Sequence, residues 1–263
     1  MPKLKVNGIQ MSYEVFGDGE PLVFIHGLGA DREFWFFQVE EFSESFKVLT
    51  LDVRGHGESD KPNQSYSIGL FASDVATLLQ KLNIEKANIV GLSMGGCIAQ
   101  QLAIDHPEKV KSLVLVNTFS NLRPTTLSEV FQGFYRLFLV TFFSMKDFTK
   151  LIAKNLFPKP EQNELFLMTW KKFAKNPKKP YISSTNALFF FNSENQLSRI
   201  RCPTLVVAGE KDRTVRLHRK IHLAEKIPNA EFTIIRDSGH VTPLDKSEEF
   251  NRAVLEFLTK LRG

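Results

Sequence analysis

The feature that most constrains this chain is an alternation of short β-rich runs with segments of helical periodicity, which predicts a mostly parallel sheet covered by helices. Six of the runs are nearly continuously apolar, as is typical of strands buried on both faces. Asn7-Gly8, between the first two runs, favours a tight hairpin turn. The eight predicted strands are Lys3–Val6, Ile9–Phe16, Leu22–Ile25, Val48–Leu51, Ala87–Val90, Leu113–Val116, Thr204–Ala208 and Phe232–Ile235.

Apolar residues at helical spacing predict the helices that cover this sheet. The spacing indicates core-facing helices over residues 71–82 and 250–261, and Ser67 is placed to cap the first. The segment Cys97–Ile104 also favours a helix.

The alternation stops between Phe119 and Gln196, where prolines separate helix-like stretches and no convincing strand occurs. We therefore expect a helical insertion over residues 119–196 and a core domain built from residues 1–118 and 197–263. The interval from Phe119 to Phe191 holds 13 of the 24 Phe residues.

The excess of basic residues also lies in this interval. The chain has 34 Lys and Arg against 29 Asp and Glu. Nine Lys and three acidic residues fall between positions 146 and 180, a net +6, which leaves −1 for the rest. Their spacing is typical of a solvated outer face. Because no phosphate-binding glycine loop, aromatic RNA-binding signature or helix-turn-helix accompanies them, we expect no nucleic-acid partner.

No segment predicts export, membrane insertion or metal binding. The most apolar stretch, Leu137–Phe143, has seven residues, whereas a membrane span needs about 20. The N-terminus lacks the apolar core of a secretory signal. Cys97 and Cys202 have no CxxC or His-rich surroundings. We expect a cytoplasmic protein with reduced thiols, no metal and no cofactor, and the sequence does not distinguish a monomer from a homodimer.

The strongest local motif is Gly91-Leu92-Ser93-Met94-Gly95, which directly follows a predicted strand and precedes a predicted helix. A G-x-S-x-G at a strand-to-helix turn is a nucleophile elbow, because small flanking residues allow a tight turn that exposes the serine. Ser93 is therefore the predicted nucleophile.

A serine nucleophile needs a base, and the base needs an acid to orient it. His240 follows the last predicted strand, at the sheet edge where open α/β sheets place their working residues. Asp212 follows the preceding strand, 28 residues before His240, with Glu210 as its nearest competitor. We predict His240 as base and Asp212 as acid. For the oxyanion we predict the backbone N–H groups of Met94, at a helix N-terminus, and Leu28, in His26-Gly27-Leu28-Gly29.

Together these motifs resemble the α/β-hydrolase superfamily, in the branch of small prokaryotic carboxylesterases, enol-lactonases and carbon–carbon bond hydrolases. They run in family order from His26 to His240 and include residues 52–60 (DVRGHGESD). The resemblance implies an α/β-hydrolase fold with an inserted helical cap over Ser93. Dehalogenases and epoxide hydrolases carry Asp at the elbow and are excluded. Asn117 stands where some members carry the acid, which favours Asp212.

The insertion offers an apolar surface to a substrate. One predicted helix carries Phe at positions 131, 134, 138, 142 and 143, which either fill the core of the insertion or line a pocket. Trp35 either adds to that wall or packs in the core. The predicted substrate-binding residues are Trp35, Phe119, Phe134, Phe138, Phe142 and Val241.

These patterns predict a cofactor-free serine hydrolase that cleaves a small-molecule substrate, a short- to medium-chain carboxylic ester, through an acyl-enzyme. A lactonase, a monoacylglycerol lipase and a carbon–carbon bond hydrolase use the same triad and stay open. An alternative of another class is a ligand receptor that keeps the triad with negligible turnover.

Overall fold

A computed structural model describes residues 2–124 and 127–262, with the side chains of residues 128–130, 132–134, 136 and 137 left out of the description. Within these residues, eight strands form one sheet in the order β1-β2-β4-β3-β5-β6-β7-β8. Pairs β1·β2 and β2·β4 are antiparallel and the others parallel. The strands are β1 Lys3–Val6, β2 Ile9–Phe16, β3 Glu20–Ile25, β4 Phe46–Leu51, β5 Ala87–Leu92, β6 Val110–Val116, β7 Thr204–Gly209 and β8 Glu231–Ile235. The predicted α/β-hydrolase fold with a mostly parallel eight-stranded sheet is confirmed.

The turn between β1 and β2 shows why the sheet opens with a hairpin. Asn7 and Gly8 both have positive φ, 42° and 82°, as the predicted turn requires. At the opposite edge, β8 departs from the prediction of burial on both faces, and Ile234 is 41% exposed. An edge strand has a neighbour on one side alone, so its outer face is covered less.

Helices pack on both faces of the sheet because alternate strand residues point to opposite sides. Val23 and Ile25 belong to a core with helices α2, α3 and α8. Leu22 and Phe24 belong to a second core with α1 and α10. The helices are α1 Phe36–Phe42, α2 Ile68–Lys81, α3 Met94–Asp105, α4 Leu127–Phe142, α5 Met145–Leu156, α6 Asn163–Phe173, α7 Lys178–Phe189, α8 Leu217–Lys226, α9 Thr242–Asp245 and α10 Ser247–Lys260.

Helices α4 to α7 lie between β6 and β7 in the sequence, and we refer to them as the insertion. Its two ends are joined by an isolated bridge between Asn121 and Asn192 and by a hydrogen bond from Ser193 N to Ser120 O of 2.9 Å. Helices α4, α5 and α7 share a small core of Leu139, Val140, Phe148 and Tyr181. Prolines stand at helix boundaries as predicted, except that Pro180 lies in the first turn of α7, where a proline costs little since N–H groups there have no partner within the helix.

Among the described residues, no helix combines the length and the apolar character that crossing a membrane requires.

Candidate active site

The turn that carries Ser93 is tight and strained. Ser93 separates β5 from α3 and has φ 53° and ψ −111°. This turn requires glycine on both sides: a Cβ atom on Gly91 would overlap the carbonyl group of Gly95, and one on Gly95 would overlap the carbonyl oxygen of Ile25. The close approach of strand and helix leaves the Ser93 side chain partly exposed, as a nucleophile elbow requires.

Asp212 and His240 form a buried pair. His240 Nδ1 lies 3.0 Å from Asp212 Oδ2, and the two residues are 9% and 8% exposed. The other carboxylate oxygen, Oδ1, accepts hydrogen bonds from the amides of Thr214 (2.8 Å) and Val215 (3.0 Å). Burial opposes ionisation of Asp212, but His240, Lys220 and these amides outweigh it and lower the Asp212 pKa to about 2. The carboxylate is therefore charged at neutral pH and can hold the imidazole in one tautomer.

Three consecutive residues at the end of β6 hold the serine turn and the histidine loop together. The amide of Ser93 donates to the carbonyl of Val116 over 2.9 Å. Thr118 Oγ1 donates to the carbonyl of Ser93 over 2.8 Å, and Asn117 Nδ2 donates to the carbonyl of His240 over 2.8 Å. Residues 116–118 thus connect the predicted nucleophile to the predicted base.

Asn117 is the centre of this connection. Its oxygen accepts from the Gly209 amide over 2.7 Å, and its nitrogen also donates to Thr242 Oγ1 over 2.8 Å. The backbone φ of Asn117 is 45°, a conformation that Asn adopts more readily than most residues. From the sequence, Asn117 is notable only because it stands where an acid is missing. No local sequence motif indicates its positive φ or its hydrogen bonds.

The other carboxylates near His240 are occupied elsewhere. Glu210 accepts from the Asp237 amide over 3.0 Å, and Asp237 forms an ion pair with Lys159 at 2.6 Å. Asp245 accepts from the Gly239 amide over 2.6 Å and from Ser238 Oγ over 2.7 Å. The hydrogen bond of His240 Nδ1 is accepted by Asp212, as the strand-end position of that residue predicts.

The loop after β3 packs directly against the serine turn. A Cβ atom built on Gly27 would lie 3.6 Å from the Cβ of Ser93. Within the described residues, the amides of Leu28 and Met94 donate to no backbone carbonyl of a turn or loop. Both amides are therefore candidates for the predicted oxyanion site, and Met94 begins α3, where the helix dipole favours negative charge.

Two buried histidines support this loop. His26 Nε2 accepts a hydrogen bond from the Val53 amide over 3.1 Å, and the rings of His26 and His56 lie 5.2 Å apart. Burial, with the neighbouring His26, lowers the pKa of His56 to about 3. Burial also lowers the pKa of His26. Both rings are neutral at pH 7 and connect the loop after β3 to the segment after β4.

The insertion contacts the same loop. Asn176 Nδ2 donates to the Gly29 carbonyl over 2.8 Å, and Lys172 forms ion pairs with Asp31 at 3.0 Å and with Glu33 at 2.6 Å. Leu28 packs against the core of the insertion. Helices α6 and α7 thus lie against the loop that carries the predicted oxyanion donor.

The predicted substrate-binding residues are divided between the core and the surface. Trp35 is fully buried, with its ring centroid 4.8 Å from that of Phe24, the packing alternative raised from the sequence. Phe119 and Val241 are buried at 3% and 4% exposure. The side chain of Phe134 lies outside the description.

Phe138 and Phe142 occupy neither of the two expected environments. They are 51% and 73% exposed and pack on each other with ring centroids 5.0 Å apart. Helix α4 turns Leu139 and Val140 toward the core of the insertion, so the described Phe side chains at i, i+4 spacing face outward.

A groove of about 590 Å³ opens beside Asp212 and His240. Its walls include Leu156 at the end of α5 and Thr214 on the loop after β7. The groove therefore reaches the acid–base pair at the boundary between core and insertion. In the part of the chain that the structure describes, no cluster of three or more His, Cys, Asp or Glu is arranged to hold a metal ion.

One charged residue of the site, Lys220, is not indicated by any of the sequence motifs. Lys220 is fully buried, and its Nζ lies 3.0 Å from Asp212 Oδ2. It shares the buried face of α8 with Leu223. A lysine at a position where helical spacing calls for an apolar residue is the signal that could have found it.

Comparison with known proteins identifies relatives over almost the whole chain. A family model described as alpha/beta hydrolase fold matches residues 20–247. A Stutzerimonas stutzeri protein with the provisional name carbamate hydrolase RutD is 29% identical over 270 residues, covering 96% of this chain and 98% of that protein. The solved enol-lactonase of Burkholderia xenovorans LB400 is 28% identical, with a TM-score of 0.90 over 98% of this chain and 100% of its own. Est816, a solved N-acyl homoserine lactone degrading enzyme, is 32% identical, with a TM-score of 0.85 over 97% of this chain and 100% of its own.

Proposed function

The chain belongs to the alpha/beta hydrolase family, and on that premise we propose that it is a carboxylesterase that cleaves short- to medium-chain apolar esters. Ser93 is the nucleophile, His240 the base and Asp212 the acid. The observation that carries the proposal is the buried 3.0 Å contact of His240 Nδ1 with Asp212 Oδ2, joined through residues 116–118 to the strained turn of Ser93.

The reaction follows from these groups. Ser93 Oγ attacks the ester carbonyl carbon while His240 Nε2 takes the hydroxyl proton. The tetrahedral intermediate collapses, the C–O bond breaks, and the imidazolium returns the proton to the alcohol that leaves. Water, deprotonated by the same nitrogen, then attacks the acyl-enzyme, and the carboxylic acid and free Ser93 result. Asp212 stays ionised throughout and stabilises the imidazolium.

The oxyanion of both tetrahedral intermediates binds to the amides of Leu28 and Met94. This assignment rests on the packing of Gly27 against Ser93 and on the absence of a turn or loop carbonyl partner for either amide among the described residues. Two preorganised donors in a dry site are typically the largest single contribution to acyl transfer.

We further propose that residues 119–196 form a cap that binds the substrate. The contacts of Lys172 in α6 with Asp31 and Glu33, and of Asn176 after α6 with Gly29, support this role. Of the predicted substrate-binding residues, the proposal keeps Phe119, Phe134 and Val241. Trp35 packs in the core, and Phe138 and Phe142 face outward. A substrate-bound structure would test each assignment.

Steady-state hydrolysis of p-nitrophenyl acetate and butyrate tests the esterase proposal. We expect sustained turnover, loss of at least about 10³-fold of kcat in Ser93→Ala, and normal kcat in the matched control Ser43→Ala, which alters a partly exposed serine at the end of α1. A fluorophosphonate probe should label wild type and Ser43→Ala but not Ser93→Ala. Turnover that survives in Ser93→Ala would reject the mechanism, and one stoichiometric burst without turnover would favour the receptor alternative.

A lactonase is the second candidate, since the enol-lactonase and Est816 are named for action on lactones. A lactone is a cyclic ester, so the same attack by Ser93 opens its ring. A panel of linear esters, lactones and one carbamate, compared by kcat/KM at equal pH, separates the candidates. The esterase assignment fails if a lactone or the carbamate exceeds every linear ester.

A further inference from the structure

Lys220 is a buried cation in contact with the predicted catalytic acid. Its side chain is fully buried under α8. Three oxygens surround Nζ: Asp212 Oδ2 at 3.0 Å, Asn117 Oδ1 at 3.0 Å and the Gly209 carbonyl at 3.2 Å. A buried charge is strongly destabilising unless it is paired and fully hydrogen-bonded, and this site provides both.

The three partners determine the charge of Lys220. All three are acceptors. The Asn117 amide is oriented with its oxygen toward Lys220, because that oxygen also accepts from the Gly209 amide and the nitrogen donates to the His240 carbonyl. An ammonium group has three N–H donors and a neutral amine has two. Burial lowers the pKa of Lys220, and Asp212 opposes that effect. Three acceptors around one nitrogen match the ammonium form.

Lys220 and His240 share one carboxylate oxygen. Asp212 Oδ2 lies 3.0 Å from Lys220 Nζ and 3.0 Å from His240 Nδ1, while the other oxygen is held by backbone amides. The ammonium therefore fixes the oxygen that orients the imidazole. It also offsets part of the negative charge that would stabilise an imidazolium.

We propose that Lys220 is a positioning residue of the triad: its ammonium group holds the Asp212 carboxylate in place for His240 and offsets part of the negative charge that the imidazole faces. This inference rests on the proposed function of Ser93, His240 and Asp212.

Other charged groups near the pair do not replace this effect. Six more charged side chains line the groove beside Asp212 and His240, three basic and three acidic: Lys159, Lys211, Arg213, Glu210, Asp237 and Asp245. Their formal charges cancel. Asp245 needs separate attention, because burial raises its pKa and it accepts from the amide of Gly239. The ionisation of Asp245 must therefore be separated from the effect of Lys220 in a pH profile.

The test compares Lys220→Met, which removes charge and donors, with Lys220→Gln, which keeps a donor group. The kcat/KM of p-nitrophenyl butyrate is measured against pH. In both variants the acidic limb should move up by about one pH unit, and the plateau kcat should fall more in Lys220→Met. The control Lys226→Gln, exposed on the same helix, should match wild type. The shift should persist in an Asp245→Asn background.

A second readout does not depend on turnover. The low-field proton NMR resonance of His240 Nδ1–H should change in chemical shift in both Lys220 variants, because the oxygen that accepts from it loses its ammonium partner. If neither the acidic limb of the pH profile nor the resonance of His240 Nδ1–H shifts in folded variants, the proposal is wrong. If neither variant folds, Lys220 serves the fold and not the triad, which also overturns the proposal. Failure of the fluorophosphonate to label Ser93 in wild type would instead reject the proposed function, and the resonance would still decide the role of Lys220.

Discussion

The side-chain nitrogen of Asn117 lies 2.8 Å from the carbonyl oxygen of His240. This contact ties the end of β6 to the loop of the predicted base, and through Lys220 to the predicted acid. The amide side chain of Asn117 therefore holds the site together, at the position where some members of the family carry the catalytic acid.

Replacing Asn117 should disturb both stability and activity. Asn117→Gly accepts the φ of 45° but loses every side-chain hydrogen bond, so we expect the free energy of unfolding to fall by about 3 kcal/mol and kcat to fall about tenfold. Denaturant unfolding and ester hydrolysis measure the two effects. Asn83→Gly is the matched control, since Asn83 has φ 55° in an exposed turn. Equal behaviour of the two variants would refute the bracing role.

Asp212→Asn should lower kcat by about 10⁴-fold, because an amide can donate to the imidazole and favour the wrong tautomer. Glu210→Gln changes the nearest competitor, which is engaged by the Asp237 amide, and should leave kcat within about twofold. Both are measured on p-nitrophenyl butyrate at the pH of the plateau. A larger loss in Glu210→Gln than in Asp212→Asn would transfer the acid role to Glu210.

Gly95→Ala should prevent the native packing of α3. A Cβ atom there would overlap the carbonyl oxygen of Ile25 and lie 2.8 Å from that of His26. Backbone atoms of a central strand cannot move aside without breaking the sheet, so we expect a loss of more than about 3 kcal/mol. Gly69→Ala, in α2 with its nearest atom at 3.9 Å, should instead be neutral or stabilise by up to about 1 kcal/mol. Thermal and denaturant unfolding test the pair, and a folded, active Gly95→Ala protein contradicts the packing.

His56 should make stability fall with acid. Its pKa drops from the model-compound value of 6.5 in the unfolded chain to about 3 in the fold. Between these values the unfolded state binds a proton at His56 that the folded state does not, so the free energy of unfolding decreases as pH falls from 6.5 toward 3. From pH 7 to pH 5 the loss is about 2 kcal/mol.

His56→Gln tests this dependence by unfolding at both pH values. The variant should show a shallower slope than wild type, whatever its absolute stability. His106→Gln, at a residue whose side chain is 36% exposed, should keep the wild-type slope. An unchanged slope in His56→Gln would mean that His56 is not the buried neutral group.

The strand alternation and the short motifs predicted the fold because each is a local consequence of the chain. The alternation of apolar runs with segments of helical spacing, and the Gly91-to-Gly95 spacing, need no knowledge of distant residues. Lys220 could not be predicted in the same way, because its burial depends on Asn117, which lies 103 positions away in the sequence. The outward face of α4 was equally inaccessible, since periodicity shows that a helix is apolar but not which side meets the core.

The bridge between Asn121 and Asn192 has a further consequence, for how such a protein can change over evolutionary time. The insertion leaves and re-enters the core at one place, so for the sheet it is equivalent to a loop whose two ends are held together. The entropy of closing a loop grows only with the logarithm of its length, and doubling it costs about 0.6 kcal/mol. Segments of other lengths can therefore be exchanged between these two asparagines while β6 and β7 stay paired. On the proposed role of residues 119–196 as a cap, substrate selectivity can diverge through this segment while Ser93, Asp212 and His240 keep their positions.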